Sequence, residues 1–279
     1  MEMMNKRVGV AGLGAMGFQV AITLKKAGFE IIGYDAFQGV YEKAEAEGIT
    51  MVYSMKEMAE KVDEAIISMV RNYEQNIDII FGDGGLSDAE QAGKTIIVMS
   101  TLDPESMRQL SEKVREESDM NIVDAGLSGG VAGAESGTLS IMTSGPEKIV
   151  KSLQPIFDVI GSETFYYGED PGNSQAAKLI NNMVLGINVN AVAEGLELAK
   201  KYDLPQEELL KLLQASTGDS WVVRNWDTVS EWTTDATLSI LQKDLTAAYK
   251  EGINNDVSLP LNALASTRLF EAMRERKKS

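Results

Sequence analysis

The chain of 279 residues contains no cysteine and no histidine. Without cysteine there is no disulfide, no cysteine nucleophile and no thiolate metal site. Without histidine the usual general base is gone, and with it every serine–histidine triad and nearly every zinc site. No metal centre is therefore expected, and acid–base chemistry near neutrality falls to Lys, Asp, Glu or Tyr. Basic residues are also scarce, 26 against 42 acids, for a formal net charge of −16. Such a surface repels phosphates, which argues against nucleic acid or an anionic membrane as partner. No apolar signal segment precedes the first expected strand, so a soluble, cytoplasmic protein is expected. At 44% hydrophobic residues the chain can bury a full core and make two domains.

What is present begins at residue 7. The apolar run Val8 to Ala11 is followed at once by Gly12-Leu13-Gly14-Ala15-Met16-Gly17, then by a helical pattern through Phe18, Val20, Ala21 and Leu24, then by a second apolar run ending at Asp35. A strand, a glycine turn, a helix and a second strand with an acid at its tip make a dinucleotide site. Gly12 permits the tight turn, Gly14 lets backbone approach a pyrophosphate, and Gly17 packs helix on strand. The helix N-terminus presents free N–H groups and partial positive charge to the phosphates. Glycine-rich turns alone are common; both strands and the spacing of Asp35 make the dinucleotide reading the better one. A carboxylate at that tip accepts the ribose hydroxyls of NAD and repels a 2′-phosphate. Ala36, Phe37 and Gln38 offer no cation for that phosphate, so NAD is preferred over NADP.

Further along, strands are expected within Val62–Val70, at Thr95–Ser100, Asn121–Asp124 and Leu139–Thr143, with helices at Ser54–Lys61 and Pro104–Ser118 between them. Asp103 suits the cap and Pro104 the first position of the latter helix. The alternation implies an α/β, doubly wound, mostly parallel Rossmann sheet. After the breaker cluster Gly168–Gly172 the pattern turns helical. Residues 1–167 are thus expected to form the dinucleotide-binding domain, and 168–279 an all-α domain for substrate and oligomerisation. That second domain opens with a long interdomain helix, Asn173–Lys201, apolar on nearly all faces between Ala176 and Ala199 and so expected to be buried. Lys178, Asn181, Asn182, Glu194 and Glu197 interrupt it too often for a membrane span.

Lys178 stands in the first turns of that helix, with Asn182 one turn on and on the same face. Burying a lysine is expensive unless its charge is used or suppressed, the plainer alternative being a lysine snorkelling from a helix end. The glycine-rich stretch Asp124–Ala134 follows a strand directly, where an open parallel sheet binds ligands, and offers bare backbone N–H groups to an anion or an ordinary turn. Lys243-Asp244 on an expected helix, Leu238–Lys250, reads as a solvated charged face unless it packs against a cleft. Arg224 could meet a second anionic group, but more simply pairs with a surface acid.

Taken in order, Gly12–Gly17, Ser100-Thr101-Leu102-Asp103-Pro104, Asp124 through Gly137-Thr138-Leu139, Gly172–Lys178 with Asn181-Asn182, and Lys243-Asp244-Leu245 resemble the motifs of the β-hydroxyacid dehydrogenase family. The likeness spans residues 7 to about 250. It implies an NAD-dependent oxidoreductase moving a hydride between nicotinamide and a short 3-hydroxy acid or its semialdehyde, of the 3-hydroxyisobutyrate, tartronate semialdehyde or sugar-acid type. Lys178 matches the catalytic lysine, its pKa expected to be lowered by burial and by Lys243. Asn182 matches the asparagine that holds the substrate, and Ser128, Gly129 and Gly130 match the segment that binds its carboxylate. Met69, Val70, Arg71, Gln75 and Thr101 match positions lining the NAD site, and Lys243 a lysine reaching the cofactor. Arg71 stands where a proline is common and Gln75 where asparagine is frequent; both touch cofactor contacts rather than chemistry. A helix as apolar as residues 176–199 needs cover on every side, so at least a homodimer, or a homotetramer, built mainly from residues 168–279, is expected. The alternatives are an imine reductase or a non-catalytic nucleotide-binding relative on the same scaffold. Lys178 argues against both, and no added basic segment supports the second.

Overall fold

In the computed structural model, residues 6–90, 93–233 and 237–274 are described. The first strands and helices follow the expected alternation: β1 (Arg7–Ala11), α1 (Ala15–Lys26), β2 (Glu30–Tyr34), α2 (Tyr41–Ala46), β3 (Thr50–Met51), α3 (Met55–Lys61), β4 (Ala65–Ser68) and α4 (Tyr73–Phe81). They continue with β5 (Thr95–Val98), α5 (Pro104–Glu117), β6 (Asn121–Ser128), α6 (Gly130–Ser136), β7 (Leu139–Ser144), α7 (Glu147–Ser152), α8 (Gln154–Ile160) and β8 (Gly161–Tyr166). Helices then take over: α9 (Asn173–Lys200), α10 (Gln206–Gln214), α11 (Trp221–Arg224), α12 (Trp226–Ser230), α13 (Thr237–Asn254) and α14 (Pro260–Arg274).

The sheet order is β3-β2-β1-β4-β5-β6-β7-β8. Strands β1 to β6 run parallel, so the chain leaves β1 in one direction toward β2 and β3 and returns on its other side with β4. That reversal creates the crevice at the carboxyl ends where doubly wound sheets bind ligands. Strand β7 is antiparallel to β6, and β8 parallel to β7. Alternating side chains place Val8, Val10, Ile31, Ile67, Ile97 and Val123 against α1 and α8, while Ile66, Ile96 and Val98 face α3 to α5. Asp103 caps α5 by accepting the Ser106 N–H at 2.9 Å.

Two strands lie outside the expected set, and one expectation needs correction. Strands β3 and β8 lack a strong apolar run, because β3 has only two residues and β8 is a largely exposed edge. The chain divides into compact units Met1–Lys178 and Leu179–Ser279, the first turn of α9 being hydrogen-bonded into the sheet of the first unit. And α9 is not buried all round: Ile180 is 57%, Val184 48% and Leu198 62% exposed. Within one chain, apolar cover reaches only part of this helix. The second unit has its own core, built by Val189, Leu196, Val222, Trp226, Leu241 and Leu269.

Candidate active site

The glycine turn is shaped by its neighbours on three sides and open on the fourth. Gly12 adopts φ +93°, and a Cβ there would come within 2.7 Å of the Met69 carbonyl oxygen. A Cβ at Gly17 would overlap the Gly12 carbonyl, so α1 can lie this close to β1 only with glycine. A Cβ at Gly14, by contrast, would meet nothing within 4 Å. No protein atom requires glycine there. What requires it is the space above, beside the N-terminus of a 12-residue helix that Gly14 starts without a side-chain cap. This opening suits a pyrophosphate, so the residues fit a dinucleotide.

Asp35, just past β2, accepts the Leu13 N–H at 2.7 Å on one oxygen and the Phe37 N–H at 2.8 Å on the other. It therefore fixes the glycine turn. Met69, Val70 and Arg71 follow β4, and Thr101 follows β5, all at the carboxyl edge that carries Gly12–Gly17. Met69 donates its N–H to the Ala11 carbonyl at 2.8 Å. Gln75 is exposed and its side chain accepts the Arg71 N–H at 2.9 Å, tying two of the expected cofactor positions together.

Ser128 ends β6, the next strand along that edge. Gly129 and Gly130 follow with φ +129° and +64°, conformations that side chains rarely adopt, and a Cβ at Gly130 would meet nothing within 4 Å. On the same face of β6 two residues earlier lies Gly126, whose absent Cβ would stand 3.4 Å from the Cβ of Lys178. Lys178 and Ser128 are thus brought onto one strand face. Lys178 itself is half-buried.

The first turn of α9 is pinned by a buried polar network that the motif reading missed. Asp124 Oδ2 accepts the N–H groups of Gly172 and Gln175, each at 3.2 Å, and the Ser144 hydroxyl at 3.1 Å; Oδ1 accepts Gln175 Nε2 at 2.7 Å. Gln175 also donates to the Ser100 carbonyl and accepts the Leu102 N–H. Ser174 Oγ accepts the Gly126 N–H at 2.8 Å and donates to the Met142 carbonyl at 2.7 Å. Burial pushes the Asp124 carboxyl up to about 6, with the Gln175 amide the largest opposing influence. An acid amid the apolar residues Ile122, Val123 and Ala125 was the available signal.

In the second unit Asn182 is buried and donates to Asp244 at 2.6 Å, while Asn181 donates to the Asn182 carbonyl oxygen at 3.0 Å. Asp244 is 1% exposed, which corrects the reading of Lys243-Asp244 as a solvated pair: Lys243 faces solvent and Asp244 the interior, as neighbouring helical positions can. Arg224 is exposed and forms an ion pair with Asp219. Among the described residues no cluster of acidic side chains could hold a metal ion, and no helix is long and apolar enough to cross a membrane.

Comparison with known proteins finds family matches along both halves of the chain. The profile described as the NAD binding domain of 6-phosphogluconate dehydrogenase matches residues 7–168, and that described as the NAD-binding region of NADP-dependent 3-hydroxyisobutyrate dehydrogenase matches 172–279. The chain is 32% identical to 2-(hydroxymethyl)glutarate dehydrogenase of Eubacterium barkeri over 96% of its length and 89% of the relative's. It is 30% identical to L-threonate dehydrogenase of Cupriavidus necator, over 94% and 89%. In structure it resembles 3-hydroxyisobutyrate dehydrogenase of Mycobacterium tuberculosis with L-serine, at TM-score 0.85 and 25% identity, covering 96% of this chain and 94% of that one.

Proposed function

The chain belongs to the β-hydroxyacid dehydrogenase family and is an NAD(P)-binding hydroxyacid dehydrogenase; we propose that it prefers NAD, takes a short 3-hydroxy acid or its semialdehyde, and uses Lys178 as acid and base. The observation that carries this reading is the meeting of Lys178 with β6 at Gly126, one strand face from the bare backbone of Ser128–Gly130. The relatives' names point the same way, since 2-(hydroxymethyl)glutarate and 3-hydroxyisobutyrate both carry a hydroxyl one carbon removed from the carbon bearing a carboxylate.

NAD would be held by Gly12–Gly17 and Asp35, and when bound supplies the hydride acceptor. The substrate carboxylate docks on Ser128, Gly129 and Gly130, whose N–H groups and hydroxyl suit an anion. Lys178 Nζ takes the hydroxyl proton in oxidation and returns it to the developing alkoxide in reduction. While protonated it also stabilises negative charge on that oxygen. In a chain without histidine, lysine is the available group that can both hold that charge and give up a proton. Asn182, one turn on along α9, positions the substrate.

A panel of short semialdehydes, each bearing a carboxylate, tests the reading through NADH and NADPH oxidation. Turnover with at least one member, faster with NADH, is expected. Reduction of cyclic imines with none of the semialdehydes turned over would replace it with the imine reductase reading.

A further inference from the structure

We propose that Asp124 is a positioning residue for the reaction: its carboxylate, acting through Gln175 and the backbone of the first turn of α9, sets where Lys178 stands over β6. This rests on the reading of Lys178 as acid and base.

The opening N–H groups of a helix have no partner within it. In α9 those of Gly172 and Gln175 go to Asp124, and that of Ser174 goes to Ser144 Oγ at 3.2 Å, which in turn donates to Asp124. Helix N-caps are usually solvent-accessible Ser, Thr, Asp or Asn, as Asp103 is for α5. Here a carboxylate 1% exposed does so, at a place where burying charge is costly. Lys178 is one turn beyond Ser174, so the face that Ser174 binds to Gly126 is the face that carries the lysine. A displacement of Lys178 by an ångström is enough to slow proton transfer severely.

The network is built for the ionised acid. Of the four donors around Asp124, two backbone N–H groups and the Gln175 amide cannot accept; only the Ser144 hydroxyl can turn round. Protonation therefore forces a rearrangement at this turn: the Ser144 hydroxyl, which already accepts the Ser174 N–H, must stop donating and accept from the acid as well, or the contact is lost. Asp124 and Ser144 line a cavity of about 700 Å³. The charged groups facing it are Arg108, Glu112 and Arg115 from α5, Asp119 beyond it, and Glu169 and Asp170 before α9. Arg108 is paired with Glu105 and Arg115 with Glu112. Ser100, just past β5, and Ser144 of β7 add uncharged groups to the network.

Asp124→Asn and Gln175→Met test the proposal beside the unaltered protein. Both are expected to lower kcat roughly tenfold to a hundredfold, with NADH affinity by fluorescence changed less than about twofold. Gln175→Met removes a donor to the charged acid, so the acid limb of kcat must move to higher pH. In the ligand-free protein, the Gln175 side-chain amide and the Lys178 backbone amide should titrate by NMR with one midpoint near pH 6. The Lys178 midpoint should rise in Gln175→Met, which decides the matter even if Asp124→Asn does not fold. An acid limb unmoved in folded Gln175→Met, or a Lys178 amide flat where Gln175 titrates, overturns the proposal. Wild-type turnover in Lys178→Ala would instead remove the acid–base reading, leaving the NMR titration to judge the coupling.

Discussion

Asn182 donates its amide to Asp244 at 2.6 Å, and both side chains are buried in the helical unit. The asparagine expected to hold substrate is thus itself held, its carbonyl oxygen by Asn181 and its amide by a carboxylate on α13. The acid next to Lys243 orients Asn182. A hydrogen bond to a buried charge contributes about 1.5–3 kcal/mol.

Asn182→Ala should therefore lower the melting temperature as well as kcat, and Asp244→Ala should lower turnover although it touches no substrate. Calorimetry and steady-state kinetics on both variants check this. Asp244→Ala with unchanged kinetics would leave the carboxylate a purely structural role.

The proposed preference for NAD rests on Asp35. Clear preference for NAD(H) is expected, relaxed or reversed by Asp35→Asn with Ala36→Arg. Because Asp35 also accepts the Leu13 N–H, the single change Asp35→Asn should weaken NAD binding too, through the glycine turn. Equal efficiency with both cofactors in the unaltered protein would sink the claim.

Asp124 makes a prediction about stability. Its folded-state carboxyl titrates at about 6 against 3.8 in the free side chain, so between those values the folded chain binds more protons than the unfolded one. Stability from this group is therefore lost as pH rises from about 4 to about 6, by up to ~3 kcal/mol, and is flat above. Denaturant unfolding of wild type and Asp124→Asn across that range should show the difference; parallel curves would refute it.

The parallel half of the fold was legible because β1, β4 and β5 are buried on both faces and read as unbroken apolar runs. β8 was not, since an edge strand with Ser162, Glu163 and Thr164 carries no such signal. The glycine turn was legible because a tight turn and a close helix–strand approach demand glycine at fixed spacing, whereas Lys178 was singled out only by its place in an apolar helix of a chain without histidine and by the family motif. Asp124, Gln175 and Asp244 could not be read, because their roles arise from contacts 51 and 62 residues apart in sequence. The exposed apolar side chains of α9 were hidden for a related reason: composition reports that a surface needs cover without reporting what supplies it.

That uncovered face carries the oligomer prediction. Ile180 and Val184 lie one turn apart on α9, and Ile240, Leu261 and Leu264 are exposed elsewhere on the same unit. Apolar surface of this extent points to at least a homodimer built from the helical unit. Light scattering at micromolar concentration is expected to give twice the chain mass or more, and a monomer would refute it.

Lys178 remains the sharpest test. If it moves the proton, Lys178→Ala should cut turnover by roughly 10²–10⁴ while NAD binding stays nearly intact, because Gly12–Gly17 and Asp35 keep their contacts. Lys178→Arg should fail as well, since a guanidinium keeps its proton near neutrality. Asn182→Ala should lose less, mainly through poorer positioning. A lysine that merely packs against Gly126 would behave differently: its loss would lower the melting temperature and leave turnover per folded molecule unchanged. Stopped-flow hydride transfer separates the two, because it counts folded, NADH-loaded enzyme directly. A wild-type rate in folded Lys178→Ala would end the proposal.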